Sequence, residues 1–460
     1  MMRSVVLSSS RDVVDFVNDH PTGSRRGRII AWIALGSIFI DAYDFTSLAI
    51  GIPSLKRQLG PTSFELGTIT SSMAFGALLG ALLGGYLVDR IGRYKLLILD
   101  LMLFVVAAIG AALAPNLAVL ILFRFLLGIG VGIDMPAALS LISEFSNAKS
   151  KGKYVNFWQV VWYVATVFSA LFVLPVYLFG AGDNLWRWAV GFGAVPALII
   201  LVLRFIYADE SPLWAAHNLG VGEAAKILRK SYPEVQFDIA SDAHHDNVSA
   251  VPVRTIFKQP YLPRTILSSI ISGFQSMEYY AVGFYLPVIV AVIFGQDVVA
   301  IIIGTIILNL FGILGGGTQA FLTVKIGIRR LAIIGSSVAA AALILVGLLE
   351  GTVPALLSAF LIGVFILGHS FGPGAQGKTM AALSYPTEFR GTGTGWAEAM
   401  SRVGTILGFY VFPLVLAVAG LSHTLLYLAA IPIIMLLALY LIHWDPTTKD
   451  VEYERESVAS

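Results

Sequence analysis

Gly85-Tyr-Leu-Val-Asp89-Arg90-Ile-Gly92-Arg93-Tyr-Lys95 is a charged, glycine-marked turn set between two apolar runs, 65–88 and 96–114. Each run is about 20 residues, which at 1.5 Å per helical residue matches the ~30 Å hydrocarbon core of a bilayer. A turn with several cations is expelled from that core. The stretch therefore reads as two membrane-spanning helices joined at a water-facing surface.

Outward from this turn the pattern repeats. The apolar spans are 29–54, 65–88, 96–114, 117–143, 154–180 and 187–207, then 263–292, 297–323, 329–349, 352–383, 391–419 and 422–443. They predict an all-α membrane protein of twelve transmembrane helices in two six-helix bundles, 29–207 and 263–443. A tail (1–28), a linker with short amphipathic helices (208–262) and a second tail (444–460) complete the division. In the linker, Ser211 can cap a helix begun by Pro212. Composition agrees: 57% of the 460 residues are hydrophobic and 13% charged, against roughly a quarter charged in soluble domains. A net charge of +2 with no basic arm excludes a nucleic-acid partner. Without cysteine there is no disulfide or thiolate site. His244-His245 has no third ligand nearby, so no metal is expected, and no cofactor either. No nucleophile-base set or phosphate-binding loop appears, which excludes an enzyme. The polar start lacks the pattern of a cleaved signal peptide, so the first apolar run is kept as a helix.

Positive charge sets the orientation. Arg25, Arg26, Arg28, then Arg90, Arg93, Lys95, then Lys149, Lys151, Lys153, then Lys325, Arg329 and Arg330 fall on one side, with Lys56, Arg57 and Arg187 as exceptions. That side is expected to be the cytoplasm, with both termini there. The second half repeats the first, Lys325-Ile-Gly327-Ile-Arg329-Arg330 against Arg90-Ile-Gly92-Arg93 and Arg390-Gly391 against Lys151-Gly152. Val324 replaces Asp89 in the second copy.

Ionisable residues inside spanning helices are functional candidates, since each costs several kcal/mol unless paired or hydrated. Counting ~1.5 Å per residue, Asp41, Asp44, Arg124, Glu278 and Arg402 lie at similar depth, roughly 20 Å from the cytoplasmic side. Asp41 and Asp44 share one helical face, where one carboxylate can be ion-paired while the other takes up a proton. Glu398 and Arg402, spaced i, i+4, can neutralise each other or hold a substrate carboxylate. Lys378, below the Gly372-Pro373-Gly374 break, either snorkels to the cytoplasm or adds a binding cation. Asp134 reads as a hydrogen-bond acceptor and His369 as a histidine satisfied within the bundle. Gln159, Gln275 and Glu278, polar in aromatic-rich helices, complete the candidate substrate site.

The Gly85–Lys95 turn resembles the loop between helices 2 and 3 of the major facilitator superfamily. Arg124-Phe-Leu-Leu-Gly128-Ile-Gly130-Val-Gly132-Ile-Asp-Met-Pro136, with Ser143-Glu144 and Lys151-Gly152, is similar to its sugar porter branch, as is Asp209-Glu-Ser-Pro-Leu-Trp214. Asp41-Ala-Tyr-Asp44, Met135-Pro136 and Arg402-Val-Gly404 resemble aromatic-acid:proton symporters. The resemblance implies alternating access in the cytoplasmic membrane by a monomer that moves a small molecule and protons. It assigns proton coupling to Asp41, Asp44 and Arg124, and a cytoplasmic gate to Gly85, Asp89, Arg90, Gly92, Arg93, Glu144, Lys151 and Arg390. A permanent Asp44-Arg124 bridge that only holds helices together is the alternative. The Asn that follows the helix 7 Gln pair of hexose carriers is missing, so a small organic acid is expected ahead of a sugar or polyol. A uniporter and a non-transporting nutrient receptor are the other readings.

Overall fold

A computed structural model describes residues 3–20, 24–147, 151–241, 251–295, 297–447 and 451–452. Lys149 and the His244-His245 pair lie outside the described residues. Among those described, eleven helices are long and apolar enough to cross a bilayer, and the last, Arg390–Leu441, runs 52 residues. Unbroken, it would extend ~78 Å, more than twice the hydrocarbon core. Gly420 breaks it with φ 73° and ψ 175°. Beyond that residue the chain returns along Ile328–Leu349: Ser422 donates to Gly347 O at one end, and Arg329 Nη2 donates to Leu439 O at 2.6 Å at the other. One continuous helix by its hydrogen bonding is thus two crossings.

The twelve crossings are α1 (Arg25–Leu59), α2 (Ser63–Ile91), α3 (Arg93–Ala112), α4 (Leu117–Glu144), α5 (Lys151–Leu178), α6 (Gly182–Tyr207), α7 (Leu262–Phe294), α8 (Val298–Ile326), α9 (Ile328–Leu349), α10 (Ala355–Ala382), α11 (residues 390–419) and α12 (residues 421–441). Capping residues start several of them: Thr62 forms a capping box with Glu65 at α2, and Asn116 and Asp297 accept from Val119 N and Ala300 N at α4 and α8. Many residues on their outer faces are exposed apolar side chains, as lipid contact requires. The two halves meet along α2–α11 and α5–α8.

Both the segment before α1 and the linker lie at one face, here termed the terminal face. The tail is more ordered than composition suggests. Strand β1 (Arg3–Leu7) pairs in parallel with β2 (Val235–Ile239), Val5 opposite Phe237. Between them, the helices Ser10–Asp19, Pro212–Asn218 and Val221–Ser231 enclose a small core of Leu7, Val13, Val17, Leu213, Leu228 and Phe237. The linker helices follow their sequence signals, and Ser211 caps Trp214 N at 3.1 Å. The strand pair joins segments more than 200 residues apart, which no local pattern in either segment announces.

Candidate functional site

At the terminal face, buried charges join the halves. Gly92, with φ 107°, ends α2 in a conformation that disfavours any side chain, and a Cβ there would lie 2.2 Å from Glu210 Oε2. The turn it makes points Arg93 inward. Arg93 is fully buried, with Nε 3.0 Å from Glu144 Oε2, Nη2 2.9 Å from Glu144 Oε1, and further bonds to Val88 O and Thr387 O. Arg390 reaches the same Glu144 Oε1 from the other half at 2.9 Å, and also pairs with Glu452 beyond α12. Asp89 accepts Gly391 N–H at 2.9 Å and Thr392 N–H at 2.7 Å, an anion on the N-terminus of α11. Gly85 permits this contact: a Cβ there would meet Gly391 O at 2.6 Å.

Arg90 stands apart from the cluster, exposed, with its guanidinium 4.4 Å from the centre of the Tyr86 ring. Lys151 donates to Asn18 Oδ1 of the ordered tail at 3.2 Å. Two acids that the sequence reading left out support the cluster from outside the membrane spans. Glu210 accepts Arg93 N–H at 2.9 Å, and burial, opposed by these donors, raises its pKa. Glu452 accepts both N–H and Oγ1–H of Thr387 at 3.0 Å. Burial raises its pKa, but Arg390, Lys151 and the Thr387 donors outweigh burial and hold the carboxyl below its ordinary value. Asp445 accepts Arg329 N–H at 3.0 Å, as Glu210 does for Arg93, so the half whose Asp89 equivalent is Val324 retains this second acid.

At the centre, Asp44 is ion-paired with Arg124, whose Nη2 also lies 3.1 Å from Met73 Sδ. Asp41 is 2% exposed, and its Oδ2 meets no donor. Glu398 of α11 is shared by two cations, Lys378 Nζ at 2.8 Å and Arg402 Nη2 at 2.5 Å. Lys378 does not extend to the terminal face: it is 4% exposed and its Nζ lies 4.8 Å from the centre of the Trp158 ring. Carboxylate attraction and the ring face hold it in the bundle. Arg402 Nε has no hydrogen-bond partner. Glu278 is not part of this group; His369 Nδ1 holds it at 3.0 Å.

A central cavity of about 20 Å³ is lined by Trp158, Gln159, Gln275, Tyr279, Tyr280 and Lys378, among others. That is room for about one water, so the site is collapsed. Gln275 bonds Ser276, which bonds Ser401, at 2.7 and 2.6 Å, while Gln159 Oε1 is unpartnered. A second small cavity, with Phe45, Trp162 and Tyr280, leads to a third of about 380 Å³ between the opposite-face halves of α1, α5, α7 and α8. Trp162 and Tyr279, hydrogen-bonded at 2.9 Å, stand between centre and vestibule. A polar network also missed in the sequence reading lies below: Asn156 of α5 with Thr323 at 2.7 Å and Thr379 at 2.5 Å.

Twelve crossings in two halves, sealed at one face over a polar centre, are the build of a secondary membrane transporter. The family profile described as "Sugar (and other) transporter" matches residues 17–455, and the chain belongs to that family, the sugar porter branch of the major facilitator superfamily. It is 27% identical over 416 residues to the putative metabolite transport protein YaaU of Escherichia coli, covering 89% of this chain and 90% of that one. It is 26% identical to the glucose transporter GlcP of Staphylococcus epidermidis, covering 92% and 95%, and 26% to the niacin transporter NiaP of Acinetobacter baylyi, covering 86% and 88%. The proton:xylose symporter XylE shares the fold, with TM-score 0.80 at 18% identity over 94% of this chain and 99% of that structure. Those relatives are transporters, so the chain is not an enzyme.

Proposed function

We propose that the chain is a proton symporter of a small organic acid, working by alternating access with its terminal face in the cytoplasm. The observation that carries this reading is the buried pair of cations, Lys378 and Arg402, sharing the single carboxylate of Glu398 near Asp41. With Asp41 ionised, two cations face two carboxylates and the group is neutral. With Asp41 protonated it has one positive charge in excess, which a substrate carboxylate neutralises. Proton and anion then favour each other's binding, which is the thermodynamic content of symport. An arginine fork is well shaped for a carboxylate, and Arg402 Nε, which has no hydrogen-bond partner, leaves a donor for it. Trp158, Trp162, Tyr279 and Tyr280 supply faces for a ring. The relative named as a niacin transporter takes, by that name, a ring carrying a carboxyl group.

The second reading is a sugar or polyol, favoured by the neutral hydrogen-bonding row Gln159, Gln275, Ser276 and Ser401 beside Trp158. Uptake into proteoliposomes separates them. Nicotinate, benzoate, D-glucose and myo-inositol are offered with and without an inward proton gradient. Accumulation of an acid only with the gradient is the expected result. Equilibration of a hexose regardless of the gradient overturns it.

A further inference from the structure

His369 of α10 and Glu278 of α7 form a buried pair to which the contacts above give no role. The two are 2% and 0% exposed, and His369 Nδ1 lies 3.0 Å from Glu278 Oε2. The imidazole face stacks on Tyr279, ring centres 5.7 Å apart at 27°, and Phe365 stands 6.1 Å from it. Carboxylate and rings together fix its orientation. Nδ1 makes the imidazole's one hydrogen bond among the described residues, which leaves Nε2 unpartnered. His369 also lines the central cavity, beside Gln159 and in company with Lys378. Its Nε2 lies on the wall near Gly374: a Cβ there would stand 2.8 Å from His369 Nε2 and 2.7 Å from Gln159 Nε2, so glycine is what leaves both polar ends their room.

Burial decides what Nε2 carries. A carboxylate beside a neutral imidazole would leave one negative charge inside the bundle, and Glu278 Oε1 has no donor to offset it. The pair becomes neutral with one more proton. That proton sits either on the imidazole, giving imidazolium and carboxylate, or on the carboxyl, which then donates to Nδ1. In both arrangements Nε2 bears a hydrogen. The pair is therefore a donor N–H on the cavity wall wherever its proton rests, and, being neutral as a whole, it does not compete with Lys378 and Arg402 for an anion. His369 precedes the Gly372-Pro373 break of α10 and Lys378 follows it. One helix thus brings to one cavity a cation for a carboxylate and, set apart from it along the chain, a donor for a second group on the same ligand.

We propose that His369 is a specificity-determining residue of the central site, donating through Nε2–H to an acceptor atom on the substrate ring, and that the substrate class is a heteroaromatic acid with an unprotonated ring nitrogen. Glu278 is its positioning residue. It holds Nδ1 and so keeps the hydrogen on Nε2. A site with a buried donor discriminates strongly against an analogue that lacks the acceptor, because the donor is then left unpaired.

The inference rests on the organic-acid reading, and the test separates the two. Binding of benzoate, nicotinate, isonicotinate and D-glucose to the protein in nanodiscs is measured at pH 7. The three acids are all anions there; the two pyridine acids differ from benzoate in one ring atom, placed at two distances from the carboxyl. The wild type is expected to bind at least one pyridine acid about tenfold more tightly than benzoate. His369→Phe keeps a ring and removes the donor, so that preference should vanish while benzoate binding stays within about twofold. Glu278→Ala should narrow the preference, and Glu278→Gln should restore it, since its amide N–H donates to Nδ1 and leaves the hydrogen on Nε2. A role in packing alone would not move the ratio of two acids of one shape. Benzoate bound as tightly as both pyridine acids by the wild type, a preference that survives in His369→Phe, or a loss shared equally by benzoate each overturns the inference and leaves the organic-acid reading standing. Binding of D-glucose with none of the acids overturns both. Should His369→Phe misfold around an unpaired Glu278, the double variant Glu278→Gln/His369→Phe replaces it, and the wild-type ratio decides without any variant.

Discussion

Asp89 of α2 takes both the backbone N–H and the hydroxyl of Thr392, at 2.7 and 2.8 Å, and so ties one half of the molecule to the first turn of α11 in the other. The contact exists only while the terminal face is closed. It stabilises that state, not the opposite one, and its removal shifts the balance between the two. An Asn has one acceptor oxygen where Asp89 has two, and a lost hydrogen bond to a charged group is worth about 1.5–3 kcal/mol. Asp89→Asn is expected to lower the maximal transport rate roughly tenfold with little change in the binding of substrate. An unaltered rate at saturating substrate contradicts the assignment.

Arg90 and Arg93 look equivalent in the sequence, and the structure separates them. Arg93 is enclosed by Glu144, Asp89 and Thr387 O, while Arg90 lies in the open over Tyr86. Removing one partner of a buried ion pair costs about 3–5 kcal/mol, whereas an exposed substitution is worth within about 0.5 kcal/mol. Arg93→Ala is expected to reduce both thermal stability and transport severely, and Arg90→Ala to leave both near wild type. Melting curves and initial rates of the two variants side by side check this.

The crossings were legible because period, length and charge agree: runs of about 20 apolar residues bounded by cations admit one reading. Asp44 and Arg124 were also foreseeable as neighbours, since depth counted along two helices placed them level. Lys378 was not. Its choice between the membrane surface and Glu398 depends on which face of α10 turns inward after Gly372, and on Trp158 from another helix. Glu210, Glu452 and the β1–β2 pair were out of reach for a different reason. Each contact joins segments far apart in the chain, and a polar tail or linker carries no periodicity that points to its partner. The final reversal was the opposite case: the apolar spans 391–419 and 422–443 already separate there, while hydrogen bonding alone merges α11 and α12 across Gly420.

Glu452 gives a test by pH. Its carboxyl is held below its ordinary value, so the stabilisation from its pair with Arg390 is complete above about pH 4.5 and is lost as pH falls through the lowered value. Between pH 6 and 8 this latch is insensitive to protons. Glu452→Gln is therefore expected to lower the melting temperature by the same amount at pH 6 and at pH 8, with the difference from wild type shrinking only in stronger acid. A loss that varies across pH 6 to 8 means the shift has another origin.

Glu398 provides the sharpest discrimination of substrate charge, because it occupies the two cations that a substrate carboxylate would use. Glu398→Gln keeps the shape and removes the charge, leaving Lys378 and Arg402 in excess over Asp41. An anionic substrate should then bind more tightly, by about tenfold for each ~1.4 kcal/mol gained, and depend less on protonation of Asp41. Turnover should fall, since a ligand that fills the cation pair this well is released slowly. A neutral sugar has no such gain to make, and its affinity should stay level or weaken as the hydrogen-bonding row shifts around the new amide. Binding isotherms for nicotinate and D-glucose at pH 6 and pH 8 read the sign directly. Tighter nicotinate binding with a reduced pH dependence fits the organic-acid reading, and a change confined to D-glucose assigns the cation pair to structure.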